Sequence, residues 1–176
     1  MNKALLIVDM QLMPFIWKDY GGKSLYNENL LLENASCLID KARKSGTPIY
    51  YILFTEGEGS PRMKGKPLWQ VHPKIAPQEG DREIIKYYAD SFFKTELHAL
   101  LQEDGVDTII VCGIQTEFCV DTTIKSAYSH GYHVILASDC HSTYDSELLQ
   151  AQTIIAHHNI ILTQFADIVS SIEIEL

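Results

Sequence analysis

The chain has 176 residues, enough for one domain (1–176) with a substantial core and too few for two comfortable ones. Hydrophobic residues at 46% and aromatics at 10% exclude a disordered polymer, and a formal net charge of −9 excludes the basic footprint of a nucleic-acid or anionic-membrane binder. No apolar stretch approaches the roughly 20 residues that span a bilayer.

In chain order, "MNKALLIVDMQ" lacks the length and small-residue cleavage site of a signal peptide, so "ALLIVDM" at 4–10 is expected to be a buried first strand. Leu31, Ala35, Leu38 and Ala42 mark the apolar face of a helix, which Gly46 and Pro48 stop. "PIYYILF" at 48–54 is the second strand. Residues 55–81 form the longest irregular segment, which in a compact domain is usually functional. "REIIKY" at 82–87 is a weaker strand, followed by a helix marked by Leu97, Leu100 and Leu101. "DTIIVCG" at 107–113 leads through a polar turn to a helix marked by Val120, Ile124 and Ala127. "HVILASD" at 133–139 precedes a helix marked by Leu148, Ala151 and Ile155, with Asn159 near its C-terminal cap, and "NIILTQ" at 159–164 is expected to be the last strand. Strands that alternate with helices and lack clean polar alternation give a three-layer α/β/α, Rossmann-like fold with a six-stranded parallel sheet covered on both faces. In such sheets ligands sit beyond the carboxyl ends of the strands. That rule directs attention to Asp9, the 55–81 loop, Lys86, the 114–119 turn and Asp139 onward.

The four cysteines (Cys37, Cys112, Cys119 and Cys140) have neither CxxC nor zinc-finger spacing, so a reducing, cytoplasmic setting without a disulfide framework is expected. Thr116 is a good N-cap, which would make Cys119 the third residue of the helix that follows. The first turn favours an anion, and a free thiol with a pKa of about 8.5 is only a few per cent thiolate at neutral pH. The position therefore suits a nucleophile, although cysteine also serves as a small buried hydrophobe. A nucleophilic thiol needs a proton acceptor. Of the seven histidines, only His72 and His141 could reach the carboxyl edge, and ordinary loop contacts account for both. Asp9 ends the strand "ALLIV", where an unpaired carboxylate would be costly, and Lys86 ends "EIIK". Asp, Lys and Cys at three strand ends form a consistent set; a purely structural ion pair is the alternative.

Those blocks carry a resemblance. "LLIVDMQ", "IIKYYADSFFKTEL" and "VCGIQTEFCVDTTIKSAYSHGYHVILASDC", in that order and spacing, resemble the isochorismatase-like cysteine hydrolases, which include nicotinamidases, carbamoylsarcosine amidohydrolases and streptothricin-type amide hydrolases. The most specific block supplies Gly113, Ile114, Gln115, Thr116, Cys119 and Val120 at the family's spacing. The resemblance implies Cys119 as nucleophile, Asp9 as base and Lys86 as the cation holding the aspartate and supporting the thiolate. It also implies a cis peptide between Ile114 and Gln115 that aims the Gln115 amide, with that of Cys119, at an oxyanion. It implies no cofactor, a homodimer or larger assembly, and a small-molecule amide as substrate. The nicotinamidase metal position reads "LFTEGEGSPR", with no histidine before His72, so no metal is expected. The family's Ser-Ala-Phe after the lysine reads Asp90-Ser91-Phe92 here, which puts an extra carboxylate near the site or on a nearby surface. Aromatics at matching places line the cleft in the family, which makes Phe15, Trp17, Trp69, Phe92 and Tyr144 candidate pocket walls, with ordinary packing as the alternative for each.

Two rivals remain at this stage. One is the same machinery acting on a ureido or carbamoyl C–N bond. The other is a non-catalytic flavodoxin-like or Rossmann-like binding module, against which no G-x-G-x-x-G or G-x-x-x-x-G-K-[ST] follows any strand.

Overall fold

In the computed structural model, which describes residues 2–176, the apolar runs form one six-stranded parallel sheet. Its strands are β1 (Lys3–Val8), β2 (Ile49–Phe54), β3 (Arg82–Lys86), β4 (Thr108–Ile114), β5 (His133–Ser142) and β6 (Asp167–Val169), in the order β3-β2-β1-β4-β5-β6. The chain thus builds outward from β1 to one edge and then restarts on its other side at β4. The switch point, where such sheets hold their ligands, lies between the carboxyl ends of β1 and β4.

Alternate residues of each strand face opposite layers, which explains the unbroken apolar runs. Leu5, Ile7, Tyr51 and Leu53 join Leu31, Ala35, Leu38 and Ala42 of α2 (Glu28–Ser45) on one face. Leu6, Val8, Ile52 and Val111 pack on the other face with Leu97 and Leu101 of α3 (Leu97–Glu103) and Val120, Ile124 and Ala127 around α4 (Asp121–Ser129). Each such side chain contributes about 1.5–3 kcal/mol on burial. A short α1 (Leu12–Ile16) follows β1, and α5 (Ala151–Ile161) precedes β6.

Several sequence expectations are corrected. Residues 159–164 are not a strand but the end of α5 and a 3₁₀ turn, Leu162–Gln164. Leu162 is fully buried while Ile160 is 70% exposed, a helical spacing that a short "NIIL" run cannot distinguish from a strand. The last strand is β6, three residues long. Leu148 lies before α5 and is exposed, because Ser146 Oγ takes the Leu148 and Leu149 amides into a turn and Asp145 Oδ1 accepts from Ala151 N at the helix start. Asn159 is inside the helix rather than at its cap. Asp139, where attention was directed beyond the carboxyl end of a strand, lies inside β5; it accepts from Ser171 N (2.7 Å) and Ser171 Oγ and ties down the C-terminal segment. The 55–81 segment is not structureless: it contains 3₁₀ turns at Pro67–Trp69 and Pro73–Ile75, and Val71 bridges Gln11.

β5 is irregular where it matters. Val111 pairs with Leu136, yet Gly113 pairs with His141, so β5 bulges beside two residues of β4. The bulge delivers His141 to the edge where β4 ends.

Candidate active site

Asp9 follows β1 in a left-handed conformation, with φ of 53°. Aspartate tolerates that region better than most residues, and departures of this kind gather at functional sites. Its neighbour Gln11 fixes the exit path: Nε2 donates to the Phe54 and Trp69 carbonyls, and Oε1 accepts from Phe54 N at 2.9 Å. One buried amide side chain thereby joins the ends of β1 and β2 to the long loop.

Lys86, the last residue of β3, is fully buried; its Nζ is 3.0 Å from Asp9 Oδ2 and donates to the Ala89 carbonyl at 2.8 Å. The other carboxylate oxygen, Asp9 Oδ1, is buried without a hydrogen-bond partner among the described residues. An orphaned carboxylate oxygen is expensive unless something arrives to use it.

The third group comes from β4. The Ile114–Gln115 peptide is cis. Gln115 O then accepts from both Phe118 N and Val120 N, closing the π-helical turn Thr116–Val120 that carries Cys119. Thr116 is not the N-cap. It is the first residue of the turn, and its hydroxyl meets His141 Nδ1 at 2.9 Å. Burial and the Asp9 carboxylate push the Cys119 thiol up to about 12, and Lys86 opposes them. The expected thiolate-favouring helix start is thus outweighed, and the resting thiol is neutral at physiological pH. Thiol and carboxylate sit in one cavity, and the lysine ammonium acts on both.

His141, one of the two histidines expected to reach the carboxyl edge, makes more than a loop contact and supports the turn that carries Cys119. Asn159 Nδ2 donates to the Ser138 carbonyl, which turns Asn159 Oδ1 toward His141 Nε2. Nε2 therefore carries the proton, and Nδ1 accepts from Thr116. Burial holds His141 down at about 4. Its unfolded value is about 6.5, so between those values the unfolded chain binds a proton that the folded chain refuses. The folded state is at full advantage above pH 6.5 and loses about 3 kcal/mol from this group as pH falls to 4. Urea unfolding across that range should show wild type losing more stability than His141→Gln by roughly this amount. Parallel pH profiles for the two proteins would contradict it.

The cavity has a volume of about 480 Å³. Asp9, Ile114, Gln115 and Cys119 line it, and so, as expected, do Trp17 and Tyr144, in edge-to-face contact at 4.9 Å. Phe15, Trp69 and Phe92 do not. Phe15 packs in the core against His72, and Trp69 is buried with its Nε1 donating to Thr55. Phe92 lies in the opposite layer near Tyr132. The remaining wall comprises Met13, Pro14, Phe54, Glu56, Pro61, Arg62 and Phe118. Sequence reasoning missed these; the Gly- and Pro-rich start of the 55–81 loop was the one signal for Glu56 to Arg62. The extra carboxylate, Asp90, accepts from Phe92 N in a local turn. Among the described residues no group of three or more His, Cys, Asp or Glu side chains is placed to hold a metal.

The family pattern described as Isochorismatase domain matches residues 3–172. The chain belongs to the isochorismatase family. This family member is 33% identical to the isochorismatase family protein YddQ of Bacillus subtilis (strain 168) over 151 residues, which cover 81% of this chain and 79% of YddQ. It is 31% identical to a streptothricin hydrolase of Streptomyces noursei over 143 residues, covering 81% of this chain but only 55% of that longer protein. The crystal structure of N-carbamoylsarcosine amidase from Thermoplasma acidophilum superposes with a TM-score of 0.82 at 26% identity, covering 100% of both chains. The isochorismatase-family fold thus accounts for the sheet order and for the position of the cavity at the β1–β4 switch point.

Proposed function

We propose that this isochorismatase-family hydrolase cleaves the C–N bond of a small-molecule amide, with Cys119, Asp9 and Lys86 as its catalytic residues. The carrying observation is a cysteine sharing a cavity with a carboxylate that has one oxygen on a buried ammonium and the other free. A thiol pushed up as that of Cys119 is attacks only as its proton leaves, so it needs a base beside it. Asp9 Oδ1 takes the proton as Cys119 Sγ bonds to the amide carbon. Lys86 keeps Asp9 in place and balances its charge. The backbone amides of Gln115 and Cys119 hold the tetrahedral oxyanion, a donor type typically worth about 10²–10³ in rate. Asp9 returns the proton to the leaving nitrogen, the C–N bond breaks, and a thioester remains on Cys119. Water, losing its proton to Asp9, then releases the acid and the thiol.

Two of the relatives above are named as a streptothricin hydrolase and an N-carbamoylsarcosine amidase, which supports the reading. The whole-length likeness to a carbamoylsarcosine amidase also favours a second reading, in which the bond is a carbamoyl C–N bond cleaved by the same steps. Four unpaired thiols suit a reducing, cytoplasmic setting. The test is amine or ammonia release from a panel of small amides and carbamoyl compounds. Wild type should turn over at least one of them, and Cys119→Ala should fall to background. Equal rates in the two proteins, or no turnover of any compound, would sink the proposal.

A further inference from the structure

The cavity wall holds two carboxylates and one cation among the described residues: Asp9, Glu56 and Arg62. Asp9 is matched by Lys86. Glu56 is matched twice, by Arg62 Nη1 at 3.1 Å from Oε1 and by the Ser60 hydroxyl on Oε2. Arg62 is not saturated. A guanidinium has five N–H donors, and Glu56 is the one polar side-chain partner Arg62 has among the described residues. Its Cζ lies over the Phe54 ring, 4.9 Å from the centroid, a cation–π contact that uses none of its N–H donors on an oxygen acceptor.

The segment that holds Arg62 is closed on itself. Glu56 N donates to the Arg62 carbonyl at 3.2 Å, and Arg62 N donates to Ser60 Oγ at 3.0 Å. Burial raises the Tyr144 phenol and the charge of Arg62 opposes that rise, so the guanidinium acts on the same space as the aromatic wall. The rest of that wall is apolar, through Met13, Pro14, Trp17, Pro61 and Phe118. A ligand cation entering here meets a carboxylate already occupied on both oxygens. A ligand carboxylate meets free donors in a fork that fits it in two-point contact.

We infer that the amide hydrolysed at this site carries a carboxylate at the end away from the scissile bond, held by Arg62. The substrate class is then the amic acids and N-acyl amino acids. The inference rests on the amidase reading, and it explains how a chain with a net charge of −9 admits an anion. Long-range repulsion is countered at one point on the wall, and the Asp9 carboxylate elsewhere on that wall disfavours the reverse orientation.

The experiment reads occupancy without requiring turnover. Cys119 in wild type is alkylated with iodoacetamide in the presence of succinamic acid or its neutral counterpart succinamide, and of the glutaric pair. The acid of each pair should protect Cys119 at about tenfold or more lower concentration than the diamide, the scale of one charged two-point contact. In Arg62→Met the difference within each pair should collapse, Arg62→Lys should restore part of it, and Glu56→Gln should widen it. Equal protection by acid and diamide in wild type, or a preference that survives in Arg62→Met, would overturn the inference. An intact protection pattern without hydrolysis of any acid would support the anchor and count against the amidase reading instead.

Discussion

Replacing Asp9 with asparagine is expected to lower amide turnover by about 10³-fold and, at the same time, to raise the rate at which iodoacetamide alkylates Cys119. The two effects have opposite signs for one reason. The Asp9 carboxylate raises the thiol through its charge, while Lys86 lowers it. Asparagine removes the first influence and leaves the second, so the thiolate fraction at pH 8 grows tenfold for each unit by which the thiol falls. Alkylation needs only a thiolate. Amide hydrolysis also needs the proton delivered to a poor leaving group, and asparagine cannot deliver it; general acid–base assistance is typically worth about 10²–10⁴. Asparagine keeps the size of the side chain and tolerates φ of 53°, so the fold should persist. Turnover within a fewfold of wild type would remove Asp9 from the chemistry. A fall in alkylation parallel to turnover would mean that the carboxylate activates the resting thiol.

Gly113→Ala is expected to destabilise the protein by about 4 kcal/mol and to remove activity with it. A Cβ on Gly113 would sit 2.1 Å from Val8 O and 2.8 Å from Val8 C and N, all backbone atoms at the centre of the sheet. Overpacking of this kind costs about 1–3 kcal/mol, and a side chain at φ of 136° adds about 1–3 kcal/mol more. Relief can come only by moving the end of β1 from the end of β4, which separates Asp9 from the turn bearing Cys119. Urea unfolding and turnover of the same preparation check both halves. A loss below about 1 kcal/mol would show that the two strand ends are not in the contact described.

The sheet was legible because its strands are short apolar runs separated by helical spacing, and burial on both faces leaves that signature intact. The strand ends were legible for a related reason: a charged residue closing an apolar run, as Asp9 and Lys86 do, must meet a partner. The helix end at 159–164 was not, since four apolar or amide residues carry no period that separates helix from strand. Thr116 misled because a threonine before a helix suits a cap equally well when its hydroxyl is committed elsewhere, here to a histidine 25 positions on. Helix position can be read along the chain, whereas the burial and the Asp9 charge that raise the Cys119 thiol act through space. Among the aromatics, Trp17 after β1 and Tyr144 beyond β5 reach the cavity, while Phe15, Trp69 and Phe92 turn into the core. Nothing local to "PLW" or "DSFF" distinguishes the two outcomes. Arg62 and Glu56 lay unnoticed in a loop whose fold depends on hydrogen bonds that composition does not encode.

The most direct measurement is the mass of wild-type protein quenched with acid during a single turnover of an amide it hydrolyses, followed by peptide mapping. The account predicts an acyl adduct on the Cys119 peptide alone, discharged by hydroxylamine as a thioester is. Substrate consumed with no adduct on any cysteine, or an adduct on Cys37, Cys112 or Cys140 in its place, would contradict it.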